Sequence, residues 1–213
     1  MAKYYLGLDQ GTTGVTAILF DGGWQQVSRG YREIRQIYPR SGWVEHDAAD
    51  IWHSACAAVQ QALDKAGATG RDVLCIGLDH EGESVMLWDK QSGQPLYNTI
   101  VWQDRRTAEY CDSLLDKGMR ETYQRKTGLM IDPYFSATKL KWILDHVEGA
   151  RERARAGELL FGTVDSWLVW KLTGGKAHVT DYTNASRTMI YNIYDLCWDE
   201  ELLQLLDIPK AIL

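Results

Sequence analysis

The chain has 213 residues, 45 % hydrophobic and 24 % charged, with a formal net charge of −6. That is an ordinary globular composition, long enough to bury a core, and its acidic balance argues against a nucleic-acid partner. No stretch approaches about 18 consecutive apolar residues, so no helix is expected to cross a membrane.

The start, MAKYYLGLD, enters a strand pattern at once and lacks the apolar region of a signal peptide, so a cytoplasmic location is expected. Residues 3–9 read as a buried strand, 10–14 as a turn, 15–21 as a second strand and 25–38 as an extended, partly exposed segment. Together they predict three antiparallel strands joined by tight turns. Residues 48–66 carry Ile51, Trp52, Ala55, Val59, Ala62, Leu63 and Ala66 on one helical stripe, with Asp47 as N-cap and Gly67 as stop. The apolar run 73–79 (VLCIGLD) predicts a strand covered on both faces. Strands near 84–88 and 99–102 follow, then helices near 104–117, 136–147, 164–172 and 199–206. Strands first and a strand–helix alternation afterwards indicate an α/β layered domain.

Cys56, Cys75, Cys111 and Cys197 have no C-x-x-C spacing, and they are expected to be buried free thiols in a reducing compartment. Nine tryptophans are many for this length. Most are expected in the core, although an indole face also packs well on a sugar.

The first chemical signal is Gly7-Leu8-Asp9-Gln10-Gly11-Thr12-Thr13-Gly14. A carboxylate ends a buried strand and a glycine-flanked turn with two hydroxyls follows. Gly11 and Gly14 are expected to take positive φ and present backbone N–H groups to phosphate oxygens. Thr12 and Thr13 offer further donors, and Asp9 suits Mg²⁺, which prefers carboxylate, water and phosphate oxygens. A plain hairpin with a D-x-G-T turn would look the same. The loop has no Walker lysine.

Four longer segments are more specific. They are residues 98–107 (NTIVWQDRRT), 126–144 (KTGLMIDPYFSATKLKWIL), 161–175 (FGTVDSWLVWKLTGG) and 178–190 (HVTDYTNASRTMI). In this order they resemble the FGGY carbohydrate kinases, the family that includes glycerol kinase, over nearly the whole chain. The resemblance implies a ribonuclease H-like (actin-like ATPase) domain, a mixed central sheet flanked by helices. It implies ATP and Mg²⁺ as cofactors, with a small polyol or sugar as substrate; a homo-oligomer is left open. Residues 1–213 would be the N-terminal, sugar-binding domain, with the catalytic base and the second, ATP-binding domain beyond Leu213. The resemblance assigns Asp9, Gly11, Thr12 and Thr13 to the nucleotide phosphates, with Asp9 on the metal, and Glu83, Trp102 and Tyr134 to the polyol.

Two positions depart from the family pattern. Where glycerol kinases have N-Q-R-E-T, this chain has His80-Glu81-Gly82-Glu83-Ser84, and the arginine expected shortly after the phosphate loop is Thr16. Gly82 implies weak use of glycerol and better use of a longer polyol or a sugar, with His80 and Glu81 as replacement contacts; the alternative is an arginine from another segment that fills the gap and leaves glycerol as the substrate. Two alternatives stand beside the kinase: a non-catalytic polyol-binding module of the same fold, and an actin-like ATPase with a protein client. Other residues read as structure. Asp104, Arg105 and Arg106 form an ion-pair and N-cap cluster, Asp165-Ser166 a cap, His46-Asp47 a helix start, and Asn184, Ser186 and Arg187 a packing loop without a catalytic role.

Overall fold

The computed structural model describes residues 3–213 and divides them into two units. The first takes in the chain up to Gln36 together with His46–Glu81. Strands β1 (Tyr4–Gly11), β2 (Gly14–Phe20) and β3 (Gln26–Glu33) form an antiparallel meander, as the turn signals predict. The two-residue strand β4 (Glu45–His46) crosses the boundary between the units in sequence. Helix α1 (Ala48–Ala66) follows, and β5 (Val73–His80) then pairs parallel with β1, giving a mixed sheet of order β3-β2-β1-β5.

Alternation decides which side chains turn inward. Leu6 and Leu8 of β1 and Val15, Ala17 and Leu19 of β2 are buried, and the apolar stripe of α1 packs over this sheet. Burying a side chain such as Leu19 or Ile51 contributes about 1.5–3 kcal/mol. The helix ends where the sequence marks them: the Asp47 carboxylate accepts from the Ala49 N–H at 2.8 Å, and Gly67 closes the helix at φ 60°. The approach of α1 to β3 is closer than any side chain allows, since a Cβ on Gly30 would lie 1.9 Å from the Ala58 carbonyl oxygen.

Two expectations fail here. The run Val73–Asp79 is not covered on both faces. Among the described residues it lies in a sheet-edge strand that pairs only with β1, and Leu74 and Ile76 are 54 % and 41 % exposed. Of the four free cysteines only Cys111 is buried, because Cys56 lies off the inward stripe of α1 and Cys75 lies on the edge strand.

The second unit comprises Ile37–Glu45 and Gly82–Leu213. Its strands are β6 (Met86–Asp89), β7 (Thr99–Ile100), β8 (Leu159–Gly162), β9 (Tyr191–Asn192) and β10 (Cys197–Trp198). Its helices are α2 (Ala108–Asp116), α3 (Arg120–Thr127), α4 (Ser136–His146), α5 (Ala150–Arg155), α6 (Val164–Leu172), α7 (Tyr182–Ala185) and α8 (Glu200–Leu206). β6 and β8 pair antiparallel, and the core gathers around α4, where Leu140 and Ile143 are fully buried.

Helix α2 starts at Ala108 rather than 104, and Asp104 is not its cap. The fully buried Asp104 carboxylate accepts instead from the Val44 N–H at 2.7 Å and from Arg106 Nε at 2.9 Å. The same guanidinium reaches Glu45 at 2.6 Å and lies 3.8 Å from the Trp43 ring centroid. Burial opposes the Glu45 charge, but hydrogen bonds from Asn98, Arg106 and Tyr97 hold its carboxyl below the ordinary range. The cluster is structural, as expected, with a different partner set. Asp165 likewise lies inside α6 and accepts from the Thr163 and Thr180 hydroxyls; Thr163 is the N-cap residue. No described helix is long and apolar enough to cross a membrane.

Candidate functional site

In the first unit, Thr12 and Thr13 form a two-residue turn between Gly11 and Gly14, which face each other across the hairpin. Neither glycine takes positive φ, so the expected reason for them is wrong. Gly14 is required by crowding: a Cβ there would lie 2.5 Å from the Tyr31 hydroxyl and 2.6 Å from the Arg32 carbonyl oxygen. The turn is held from behind. Ile34 N–H donates to the Thr13 carbonyl at 3.0 Å, and Gln36 Nε2 donates to the Thr12 carbonyl at 2.8 Å. Gln36 Oε1 in turn meets Nε2 of the fully buried His46 at 3.0 Å, and burial lowers the His46 pKa to about 4, so the imidazole is neutral. Glu81 Oε1 lies 3.8 Å from His46 Nδ1.

Asp9 stands opposite Thr16 on β2 and Asp79 on β5. Burial first, and then the charge of Asp79, raise the Asp9 carboxyl above its ordinary value. Thr16 occupies the position of the expected arginine, and its hydroxyl accepts from the Arg29 guanidinium of β3 at 3.3 Å. His80 ends β5, where its N–H donates to the Asp79 side chain at 2.9 Å.

In the second unit, Glu83, Trp102 and Tyr134 converge. Glu83 is 4 % exposed and takes φ 29°, left-handed backbone that a non-glycine residue rarely adopts. Gly82 precedes it at φ 68°, and an added Cβ would meet nothing within 4 Å. The bend is pinned from both sides: the Ser136 hydroxyl donates to the Glu83 carbonyl at 3.1 Å, and the Trp102 N–H donates to Ser84 Oγ at 3.1 Å. Trp102 and Tyr134 meet edge to face with centroids 5.4 Å apart.

Tyr134 rides on a loop organised by Lys139. This fully buried lysine donates to the carbonyls of Pro133, Tyr134 and Phe135 at 2.8, 2.6 and 2.7 Å. Burial pushes its pKa down to about 7, yet three carbonyl acceptors require all three N–H groups, and the geometry is that of the ammonium.

Arg187 completes the cluster. Its Nε donates to Glu83 Oε1 at 2.7 Å, and its guanidinium carbon lies 5.9 Å from the Tyr134 centroid and 5.1 Å from that of Phe135. Burial, then the charge and hydrogen bond of Glu83, raise the Tyr134 phenol, against an opposing hydrogen bond from Arg187. Sequence reasoning passed Arg187 over as packing. The pair it forms joins residues 104 apart, and no local pattern marks it. A cavity of about 320 Å³ in the same unit is lined by Phe161, His178, Tyr182 and Tyr191 among others, and none of the candidate residues borders it.

Comparison with known proteins agrees with this geometry. Residues 4–213 match the family described as "FGGY family of carbohydrate kinases, N-terminal domain". A glycerol kinase of Bacillus licheniformis is 55 % identical over 213 residues, all of this chain and 43 % of the relative. Glycerol kinase 2 of Thermotoga maritima is 57 % identical over 211 residues, 99 % of this chain and 42 % of the relative. The solved structure of Plasmodium falciparum glycerol kinase with ADP superposes with a TM-score of 0.92 at 31 % identity, covering 98 % of this chain and 41 % of that one. The chain therefore spans less than half the length of the relatives it matches, and it belongs to the FGGY family of carbohydrate kinases, of which it has the N-terminal domain.

Proposed function

We propose that this chain is the polyol-binding part of an ATP-dependent kinase that transfers a phosphoryl group to a hydroxyl of a polyol or sugar. The observation that carries the reading is the convergence of the Glu83 carboxylate with the Trp102 and Tyr134 rings. A carboxylate accepts from hydroxyls, an indole face packs on a carbon chain, and a phenol adds one donor and acceptor. The relatives named glycerol kinase support the polyol as substrate class.

In this reading Gly11, Thr12 and Thr13 cradle the nucleotide phosphates and Asp9 holds Mg²⁺. The fit is chemical. Burial first, and then the Asp79 carboxylate in register with it, raise the Asp9 carboxyl, and a hard divalent cation is a partner that relieves such a site. The bound ion would neutralise phosphate charge during transfer. Side chains of this chain would hold the polyol hydroxyls in place and orient one of them for in-line attack. The group that takes its proton would lie in the part of the relatives that this chain does not span.

The test is coupled ADP release by the complete polypeptide over polyols and sugars of three to six carbons. Turnover dependent on one of them supports the kinase, with longer polyols used better than glycerol because of the open position at Gly82. Saturable polyol binding without turnover leaves the binding-module reading instead. The 213-residue segment alone is expected to show no meaningful turnover, because both substrates must be held together.

A further inference from the structure

Arg187 lies within the polyol cluster and not merely behind it. The 187–188 segment is fixed by the Thr188 carbonyl, which accepts from the Ala137 N–H at 2.9 Å, and by the Thr188 hydroxyl, which donates to the Ala185 carbonyl at 2.6 Å. The guanidinium is thereby set beside a carboxylate that is nearly inaccessible: the Glu83 side chain is 5 % exposed, whereas that of Arg187 is 42 % exposed. Such a pair is asymmetric. One end is desolvated and anchored, and the other is partly exposed. Guanidinium has five N–H donors in a planar fork; the contact to Glu83 uses the one on Nε and a second hydrogen bond reaches the Tyr134 phenol, which leaves further donors for a ligand. Non-glycine residues at left-handed φ flank both partners in sequence, Glu83 itself at 29° and Met189 at 67°. Backbone held in such conformations by its surroundings gathers at ligand sites. Gly82, beside Glu83, has open space and no side chain to offer.

We propose that Arg187 is a specificity-determining residue of the polyol site: its Nε orients the Glu83 carboxylate, and its remaining guanidinium nitrogens donate to a substrate hydroxyl. The inference rests on the polyol-kinase reading and names one more residue of that site. A ligand spanning Glu83, Trp102 and Tyr134 meets the guanidinium on the Tyr134 side, so Arg187 grips one hydroxyl while Glu83 accepts from another. Recognition then requires two hydroxyls at a fixed separation, which discriminates among polyols by length and configuration.

The experiment compares the complete wild-type polypeptide with Arg187→Met, Arg187→Gln and Arg187→Lys, measuring KM and kcat for ATP and for each polyol. Loss of a charge-assisted hydrogen bond predicts a rise of about 10- to 100-fold in polyol KM for Arg187→Met. KM for ATP stays where it was. Arg187→Lys recovers part of the loss, since it keeps the charge without the planar fork. Preference among polyols narrows in Arg187→Gln. A scaffold role alone would move both KM values and the melting temperature together, and that result, or an unchanged polyol KM in Arg187→Met, overturns the inference. If Arg187→Met does not fold, the Gln and Lys variants decide by the same criteria. If wild type phosphorylates nothing in the panel, the kinase reading fails separately. Intrinsic tryptophan fluorescence titration with the same polyols then decides this one, because Arg187→Gln must still weaken binding.

Discussion

The turn at Asp9–Thr13 and the cluster at Glu83 are built in opposite ways. The turn is one short stretch whose shape comes from the main chain, with its carbonyls tied back to Ile34 and Gln36 and its carboxylate beside Asp79. The cluster is an assembly of side chains from Glu83, Trp102, Tyr134 and Arg187 around the buried Glu83 carboxylate, set in place by Ser136 and Lys139. A site made of backbone depends on a few close-packed positions such as Gly14 and on one or two charges. A site made of distant side chains depends on every support.

The sharpest way to break the comparison is at Asp9. In the complete polypeptide, Asp9→Asn is expected to lower kcat on the order of 100-fold or more, because in the proposed reading it removes the carboxylate that would hold the metal beside the phosphates. Polyol KM should move little, and equal losses in both would place Asp9 in the polyol site. Lys139→Met tests the other construction. It leaves three buried carbonyls without their donor, at a cost of about 3 kcal/mol, or roughly 6–12 °C in Tm by thermal denaturation. An unchanged Tm with ordinary polyol KM would mean that the loop holds itself.

How much of this the sequence shows follows the same division. Helix α1 is read to the residue because Asp47 and Gly67 mark its ends locally, and the β1–β2–β3 meander follows from its turns. α3, α5 and β8 went unread. α3 and α5 are short polar helices stabilised by packing rather than by a periodic stripe, and the four residues of β8 are buried throughout and carry no alternation. Asp9 can be picked out from a single loop. Glu83, Trp102 and Tyr134 are legible only through a family resemblance, and the pairing of Arg187 with Glu83 exists only in three dimensions. Asp104 misled for the same reason: its sequence position suits a cap, but the carboxylate is claimed by Val44 and Arg106.

His46 sharpens the comparison through pH. Its pKa is about 4 in the folded chain against an ordinary 6.5, owing to burial. Between those values the unfolded chain binds a proton that the folded chain does not, so this contribution to stability is present above about pH 6.5 and is lost as pH falls toward 4. The loss is as much as about 3 kcal/mol. Denaturant titrations across that window should show it, with His46→Gln flattening the slope; a wild-type curve no steeper than the variant's would mean the ring is not held neutral. The smallest effect is expected at Arg29, an exposed guanidinium beside Thr16. Arg29→Ala should raise KM for ATP by no more than about fivefold. A larger rise would make it a principal phosphate anchor and the turn less self-sufficient than its geometry suggests.

The outer side of β5 governs how this segment behaves as a material. A sheet-edge strand offers a row of main-chain donors and acceptors, and here Leu74 and Ile76 add apolar surface along it. Concentrated solutions of the 213-residue segment should therefore gel or precipitate through strand-to-strand addition well below its unfolding temperature. A lysine at Ile76 should keep them clear, because a charge on an exposed edge strand disfavours strand pairing.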